Sequence, residues 1–157
     1  MDGAAIEGLV IRAATPADVP ALAALFADDP LGGHGDSADP ADLPQYQAAF
    51  ARIAADAANV VYVAELDGAV AGTFQTILIA TLSGRGASSL IIAAVQTRAD
   101  LRGRGIGAAM MRFAIARGRE IGVRLVQVTS SNLRHDAHRF YRRLGFVQSH
   151  AGFKMKL

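Results

Sequence analysis

The stretch from Val95 to Ile121, VQTRADLRGRGIGAAMMRFAIARGREI, constrains the chain more than any other. It begins as the end of an apolar strand, crosses Arg102-Gly103-Arg104-Gly105-Ile106-Gly107 and continues as an amphipathic helix. Ile106, Met110, Phe113 and Ala114 recur at helical spacing, with Arg112, Arg117, Arg119 and Glu120 mostly on other faces. Three glycines fall where the helix begins. They leave the backbone approachable at the point where first-turn N–H groups have no partner within the helix. Those donors, the helix dipole and the neighbouring Arg102 and Arg104 together suit an anion. A glycine-rich turn with solvated arginines would carry the same letters, because short glycine motifs are common. A dinucleotide fingerprint fits less well, since it needs Gly-x-Gly-x-x-Gly directly after the first strand of a βαβ unit.

The length of 157 residues suits one domain, spanning 1–157, with room for a proper core. No apolar run reaches the roughly 18 residues of a membrane span, so no membrane partner is expected. The N-terminus lacks the basic and apolar regions of a secretory signal, and a cytoplasmic protein is expected. The absence of cysteine excludes disulfides, thiolate zinc sites and a cysteine nucleophile, and no metal is expected. Net charge is only +2, with the basic residues concentrated between Arg98 and Arg143. A polyanionic cofactor accounts for that clustering more economically than nucleic acid.

In chain order, Leu9 to Ala13 reads as a strand, and Thr15-Pro16-Ala17-Asp18 as the start of a helix running to about Ala27. Asp28 to Pro44 is acidic and rich in Gly and Pro. A loop this long is either functional or a solvated surface segment. Tyr46, Ala49, Phe50 and Ile53 predict a helix over 42–56. Val60 to Glu65 and Ala69 to Leu82 form a hairpin about Asp67-Gly68. Ala87 to Thr97, almost wholly apolar, predicts a central strand buried on both faces. Arg124 to Thr129 is a further strand, and Ala137, Phe140, Tyr141 and Leu144 mark a short helix that Gly145 ends. Phe146 to Leu157 is expected to return as one or two strands.

The spacing Arg-x-x-Gly-x-Gly after a strand resembles the acetyl-coenzyme A loop of the GNAT superfamily of N-acetyltransferases. A second block, Asp136 to Phe146, resembles that family's Ala-x-x-x-Tyr-x-x-x-Gly-Phe segment. With the order β-α-α-β-β-β-α-β-α-β, the likeness covers nearly the whole chain. It implies an α+β fold: a three-layer α/β/α sandwich around a central mixed, mostly antiparallel, twisted sheet. It also implies acetyl-CoA as cosubstrate, its pyrophosphate held by Arg102, Gly103, Arg104, Gly105, Ile106, Gly107 and Ala108. The backbone of Val95, Gln96 and Thr97 would line the pantetheine and supply the oxyanion donor, and Asn132, Ala137 and Phe140 would lie near the cofactor. Tyr141 takes the place of the general acid that protonates the departing thiolate. Its position beside Phe140 and Leu144 also suits a core aromatic.

Two positions depart from the family. Ala93 stands where many relatives carry a Glu, a candidate base. Arg134 stands where they often carry an Asn, with Asn132 two residues earlier. His135 and His138 are the remaining base candidates, with Glu65 and His150 weaker. The implied activity is acetyl transfer to a primary amine, most simply of a small molecule. Alternatives are a protein or peptide acetyltransferase and a non-catalytic acyl-CoA binding module, the latter suggested by Ala93. Edge strands near the C-terminus leave room for a homodimer.

Overall fold

The computed structural model describes residues 5–32 and 34–157. β1 (Leu9–Ala13) leads into a single 3-10 turn, Pro16–Asp18, and then α1 (Val19–Ala27). The helix begins later than Thr15 because Asp18 organises the entry. Its carboxylate accepts from the Thr15 N–H at 2.7 Å and the Thr15 hydroxyl at 3.1 Å. Arg12 clamps the same carboxylate at 2.8 and 2.9 Å and reaches Glu65 at 2.8 Å. A second 3-10 turn, Pro40–Asp42, is capped by Asp39, which accepts from the Ala41 N–H at 2.9 Å, and leads into α2 (Leu43–Ala54).

β2 (Asn59–Leu66) and β3 (Ala69–Ala80) form the expected hairpin, with both turn residues left-handed (Asp67 φ 51°, Gly68 φ 83°). The four-residue turn α3 (Ser83–Gly86), with Gly84 and Arg85 left-handed, joins β3 to β4 (Ser88–Thr97). α4 (Ile106–Ile121) follows, and left-handed Gly122 ends it by donating to the carbonyls of Gly118 and Arg119. β5 (Leu125–Val128) and α5 (His135–Arg143) complete the elements. Gly145 terminates α5 with φ 92° and its N–H on the Arg142 carbonyl.

The strands form one sheet in the order β1-β2-β3-β4-β5, antiparallel except for the parallel β4–β5 pair. Tyr62, Ala64, Phe74 and Ile92 meet Met110, Met111 and Ala114 of α4, with Phe140, Tyr141 and Leu144 of α5 packed against the same cluster. Phe74 stacks on Tyr62 with centroids 5.0 Å apart, and Phe113 closes edge-on over both. Val63 lies between Tyr62 and Ala64 and so faces the other side, yet it is fully buried. A second helical layer must cover it, and α1 and α2 lie against β2, β3 and β4. The expected α+β sandwich is therefore observed. Among the described residues no helix is long and apolar enough to cross a membrane.

Two expectations need correcting. β4 is sealed only at Leu90 and Ile92, and Ala94 is exposed, because the strand bulges and loses a neighbour where apolarity suggested burial on both faces. Residues 146–157 form no strand. Phe146 packs on Tyr141 and Arg142 donates to Gln148 at 2.6 Å, after which the segment leaves the body with every residue exposed. Alternating apolarity marks a face suited to burial, and no surface of the same chain buries this one.

Candidate active site

β4 and β5 run together only from Ser89/Leu125 to Ile92/Val128. Beyond that pair they part. The cause lies on the β3 side of β4: Thr73 is opposite Gln96 and Gln75 opposite Ala93, so β4 spends one more residue than β3 over this span. The extra residue is Ala94, held left-handed at φ 51°, a conformation unfavourable for a residue with a Cβ. The bulge re-aims Val95, Gln96 and Thr97, whose β5 side has no strand beside it. Ser130 lies just beyond the end of β5, and its hydroxyl is sealed from solvent without a hydrogen-bond partner. An orphaned hydroxyl beside a split between strands is what a polar ligand entering that split would satisfy.

The split leads to the start of α4. Leu101, 6% exposed, pins the connection beneath the sheet, and Gly103 (φ 77°) and Gly105 (φ 85°) both turn left-handed. Among the described residues, no backbone or side-chain acceptor meets the N–H groups of residues 103–108; Ala109 is the first to bond, to the Gly105 carbonyl at 3.0 Å. These donors form a concave row at the positive end of a sixteen-residue helix. Arg102 and Arg104 are exposed at its rim, and Arg102 is oriented by a 3.3 Å bond to the Thr97 carbonyl. Ile106 is fully buried and holds the first turn against the core, with Ala108 half-buried. At Gly107 a Cβ would meet the Phe140 ring at 3.4 Å and Thr97 Oγ1 at 3.7 Å. Both are ordinary contact distances, so Gly107 sits directly beneath the inner face of α5.

α5 supplies the other wall. Ala137, Phe140 and Tyr141 are half-buried on its inner side, whereas Asn132 is exposed in the preceding turn. The Tyr141 ring sits edge-on to Phe140 (5.2 Å) and Phe146 (5.8 Å). Its hydroxyl has no hydrogen-bond partner among the described residues and keeps solvent contact. Burial pushes the phenol up, with Arg134 pulling weakly the other way, so Tyr141 stays protonated at neutral pH. The ring therefore packs as a core aromatic while its hydroxyl stays unsealed.

Sequence reasoning took Asp29 only as one of five loop aspartates, with Asp28, Asp36, Asp39 and Asp42, that could attract a cationic amine or lie in solvent, and the structure gives it another role. Its side chain, only 7% exposed, accepts from Arg134 at 2.6 Å and from Gln96 Nε2 at 2.7 Å. One carboxylate thus ties the loop after α1 to the bulged end of β4 and the start of α5. Burial opposes its ionised form, but the bonds from Arg134, the Leu31 N–H and Gln96 outweigh that and hold it below the usual carboxylate range. A carboxylate so engaged is a brace and a poor proton acceptor. Arg134 is the other half of this brace.

Two of the positions weighed for a base, 93 and 65, supply no free one. Ala93 faces Gln75 across the ladder. Glu65 is taken by Arg12. His138 donates from Nε2 to the Ser131 carbonyl at 2.9 Å, which leaves Nδ1 as its only acceptor, while His135 and His150 are exposed. Among the described residues no cluster of three His, Asp or Glu side chains is arranged to hold a metal ion.

Residues 19–146 match the model of the acetyltransferase (GNAT) family. The chain belongs to that family. A structure of a transcriptional regulator from Bacillus halodurans C-125 is 35% identical, covering 95% of this chain and 99% of that one with a TM-score of 0.91. A Clostridium acetobutylicum protein, described as a predicted acetyltransferase and solved with acetyl-CoA, shares the GNAT fold at 18% identity. There the TM-score is 0.71, over 94% of this chain and 96% of that one. Aminoalkylphosphonate N-acetyltransferase of Salmonella typhimurium is 39% identical over 57 residues, which span 36% of this chain and only 37% of that enzyme.

Proposed function

We propose that this GNAT protein, acting as one domain over 1–157, transfers the acetyl group of acetyl-CoA to a primary amine of a small molecule. The observation that carries the reading is the row of unbonded N–H groups at residues 103–108, placed at the end of the split between β4 and β5. A diphosphate needs several donors and positive charge at close range. Glycine at 103 and 105 lets the backbone approach it, and Arg102 and Arg104 complete the set. The split leaves the β4 backbone open on its β5 side, so the pantetheine arm would lie along Val95, Gln96 and Thr97. Acetyl-CoA supplies an activated thioester; this chain's part is to place it and manage the protons. A backbone N–H of residues 95–97, freed from strand pairing, is positioned to meet a developing oxyanion. Tyr141, protonated and half-buried, has the proton that a departing thiolate requires.

An alkylamine near pKa 10.4 must lose a proton first, at roughly 4–5 kcal/mol at pH 7. With Ala93 in place of an acid, that proton leaves through water, the substrate itself or a more distant histidine. The description of the Salmonella relative supports a small amine as acceptor. The description of the Bacillus halodurans structure favours a second reading, binding to nucleic acid. The basic residues of α4 and the preceding loop surround a concave anion cradle, which suits one diphosphate better than an extended polyanion.

Calorimetry with acetyl-CoA on the wild type and on Gly105→Val tests the proposal, followed by turnover across an amine panel that includes an aminoalkylphosphonate. Val at φ 85° distorts the cradle and should weaken binding at least tenfold while the melting temperature reports folding. If that variant unfolds, Arg104→Glu replaces it. Unchanged affinity in a folded variant moves the cofactor elsewhere and overturns the proposal, and DNA retardation without acetyl-CoA binding would establish the second reading.

A further inference from the structure

Arg134 carries more donors than its brace uses. A guanidinium presents its N–H groups in a rigid fork, along edges that each match an oxyanion. Asp29 takes one bond, from Nη2 at 2.6 Å, and among the described residues no other acceptor meets this guanidinium. A single bond through Nη2 leaves one complete edge open, and the side chain is 28% exposed. Asp29 is the opposite case. Its Oδ1 accepts from the Leu31 N–H at 3.2 Å, its Oδ2 accepts from Gln96 and Arg134, and the side chain is almost sealed. What a ligand meets here is therefore the cation, while the carboxylate that fixes it is out of reach.

The sheet sets where that cation lies. Gln96 is opposite Thr73, the neighbour of Phe74, whose ring belongs to the cluster under α4. Side chains alternate along a strand, so Gln96 points to the layer of α1 and α2, where Asp29 follows the end of α1. Arg134 comes from the other layer, since α5 packs on the same cluster as α4. Arg134 and Gln96 share one oxygen of Asp29, so the guanidinium reaches past the end of β5 and lies against the unpaired flank of β4. Its charge also acts on Tyr141, pulling the phenol downwards against burial. The backbone of residues 95–97, the Tyr141 hydroxyl and the guanidinium thus border one opening.

An alkylamine reaching that opening arrives mostly as an ammonium, which a guanidinium repels. An acid group on the same molecule turns the repulsion into a two-toothed, charge-assisted pair. We propose that the acceptor carries an oxyanion, a carboxylate or a phosphonate, a few bonds from its amine, and that the open edge of Arg134 receives it. The inference rests on the acetyl-transfer reading and narrows it to short amino acids and aminophosphonates. The acid is held at Arg134, the amine is left beside the 95–97 backbone, and simple alkylamines are disfavoured by charge.

Turnover at saturating acetyl-CoA is compared for 2-aminoethylphosphonate, β-alanine and 3-aminopropan-1-ol, the last an amine of similar length without an acid. At least one acid should exceed the alcohol in kcat/KM by about tenfold or more, chiefly through KM, and the acid that leads identifies the anion. Asp29→Asn with Arg134→Gln replaces the ion pair by a neutral hydrogen-bonded one. It should bring the acids and the alcohol within about twofold of one another, with acetyl-CoA affinity held and the melting temperature reporting folding. Arg134→Lys keeps the charge but loses the fork, and should keep part of the preference. Equal use of the alcohol and the acids by the wild type overturns the inference without any variant, and leaves acetyl transfer standing. A folded double variant that keeps the wild-type preference overturns it too, because the acid is then recognised elsewhere. If none of the amines is acetylated the inference fails as well, and acetyl-CoA calorimetry shows whether the acetyl-transfer reading fails with it.

Discussion

Removing one oxygen atom from Tyr141 separates its two possible duties. In Tyr141→Phe the ring keeps its edge contacts with Phe140 and Phe146, and with them nearly all its burial. The hydroxyl has no hydrogen-bond partner among the described residues and is not sealed, so its loss strands no polar group. The stability change should stay within about 0.5 kcal/mol. Catalysis should respond quite differently. A positioned acid contributes roughly 10²–10³-fold, or about 3–4 kcal/mol of barrier at 1.36 kcal/mol per decade. Because burial raises the phenol above its ordinary 10.0, the proton is in place throughout the neutral range, and the wild-type rate should not decline with rising pH until beyond that value. The assay is thiol release at saturating acetyl-CoA for both proteins, with melting curves and acetyl-CoA calorimetry alongside. A folded variant that keeps its kcat refutes the assignment of Tyr141 as the acid, whatever happens to its melting temperature.

Other consequences follow from the same geometry. Arg134→Met leaves Asp29 buried without its cation and should cost about 3 kcal/mol in urea titrations; adding Asp29→Leu should restore most of that. If the brace shapes the acceptor side, both variants should raise KM for the amine with little change in acetyl-CoA affinity. Asp18 sits at about 2 against an ordinary 3.8, chiefly through its bonds with Arg12, so the unfolded chain binds its proton more readily. The resulting stability, about 2 kcal/mol, is present above pH 3.8 and lost as the pH falls towards 2. Asp18→Asn should therefore lower the melting temperature at pH 7 and converge on the wild type in acid. Ala93→Glu should raise turnover at neutral pH, where the wild-type rate climbs towards the amine's own pKa; a wild-type plateau beginning near pH 6.5 would instead indicate a histidine base.

What was legible in the chain was local. The start of α4 could be read from three glycines and a helical stripe, and the hairpin from Asp67-Gly68, because each is decided by backbone conformation within a few residues. The bulge at Ala94 left no such mark. An alanine held at positive φ has no signature, and only the register against β3 reveals it. Asp29 was one aspartate among several in an acidic loop, and nothing near it foretold that it would be buried. Its partner Arg134 lies 105 residues away, so the pair exists only once the loop after α1 and the start of α5 have been brought together. The tail marks the same boundary from the other side. The alternation of Phe153, Met155 and Leu157 is as regular as any in the chain, and it led to an expected strand that its own fold does not pair. Periodicity encodes that a face is to be covered, and it carries no information about which surface covers it.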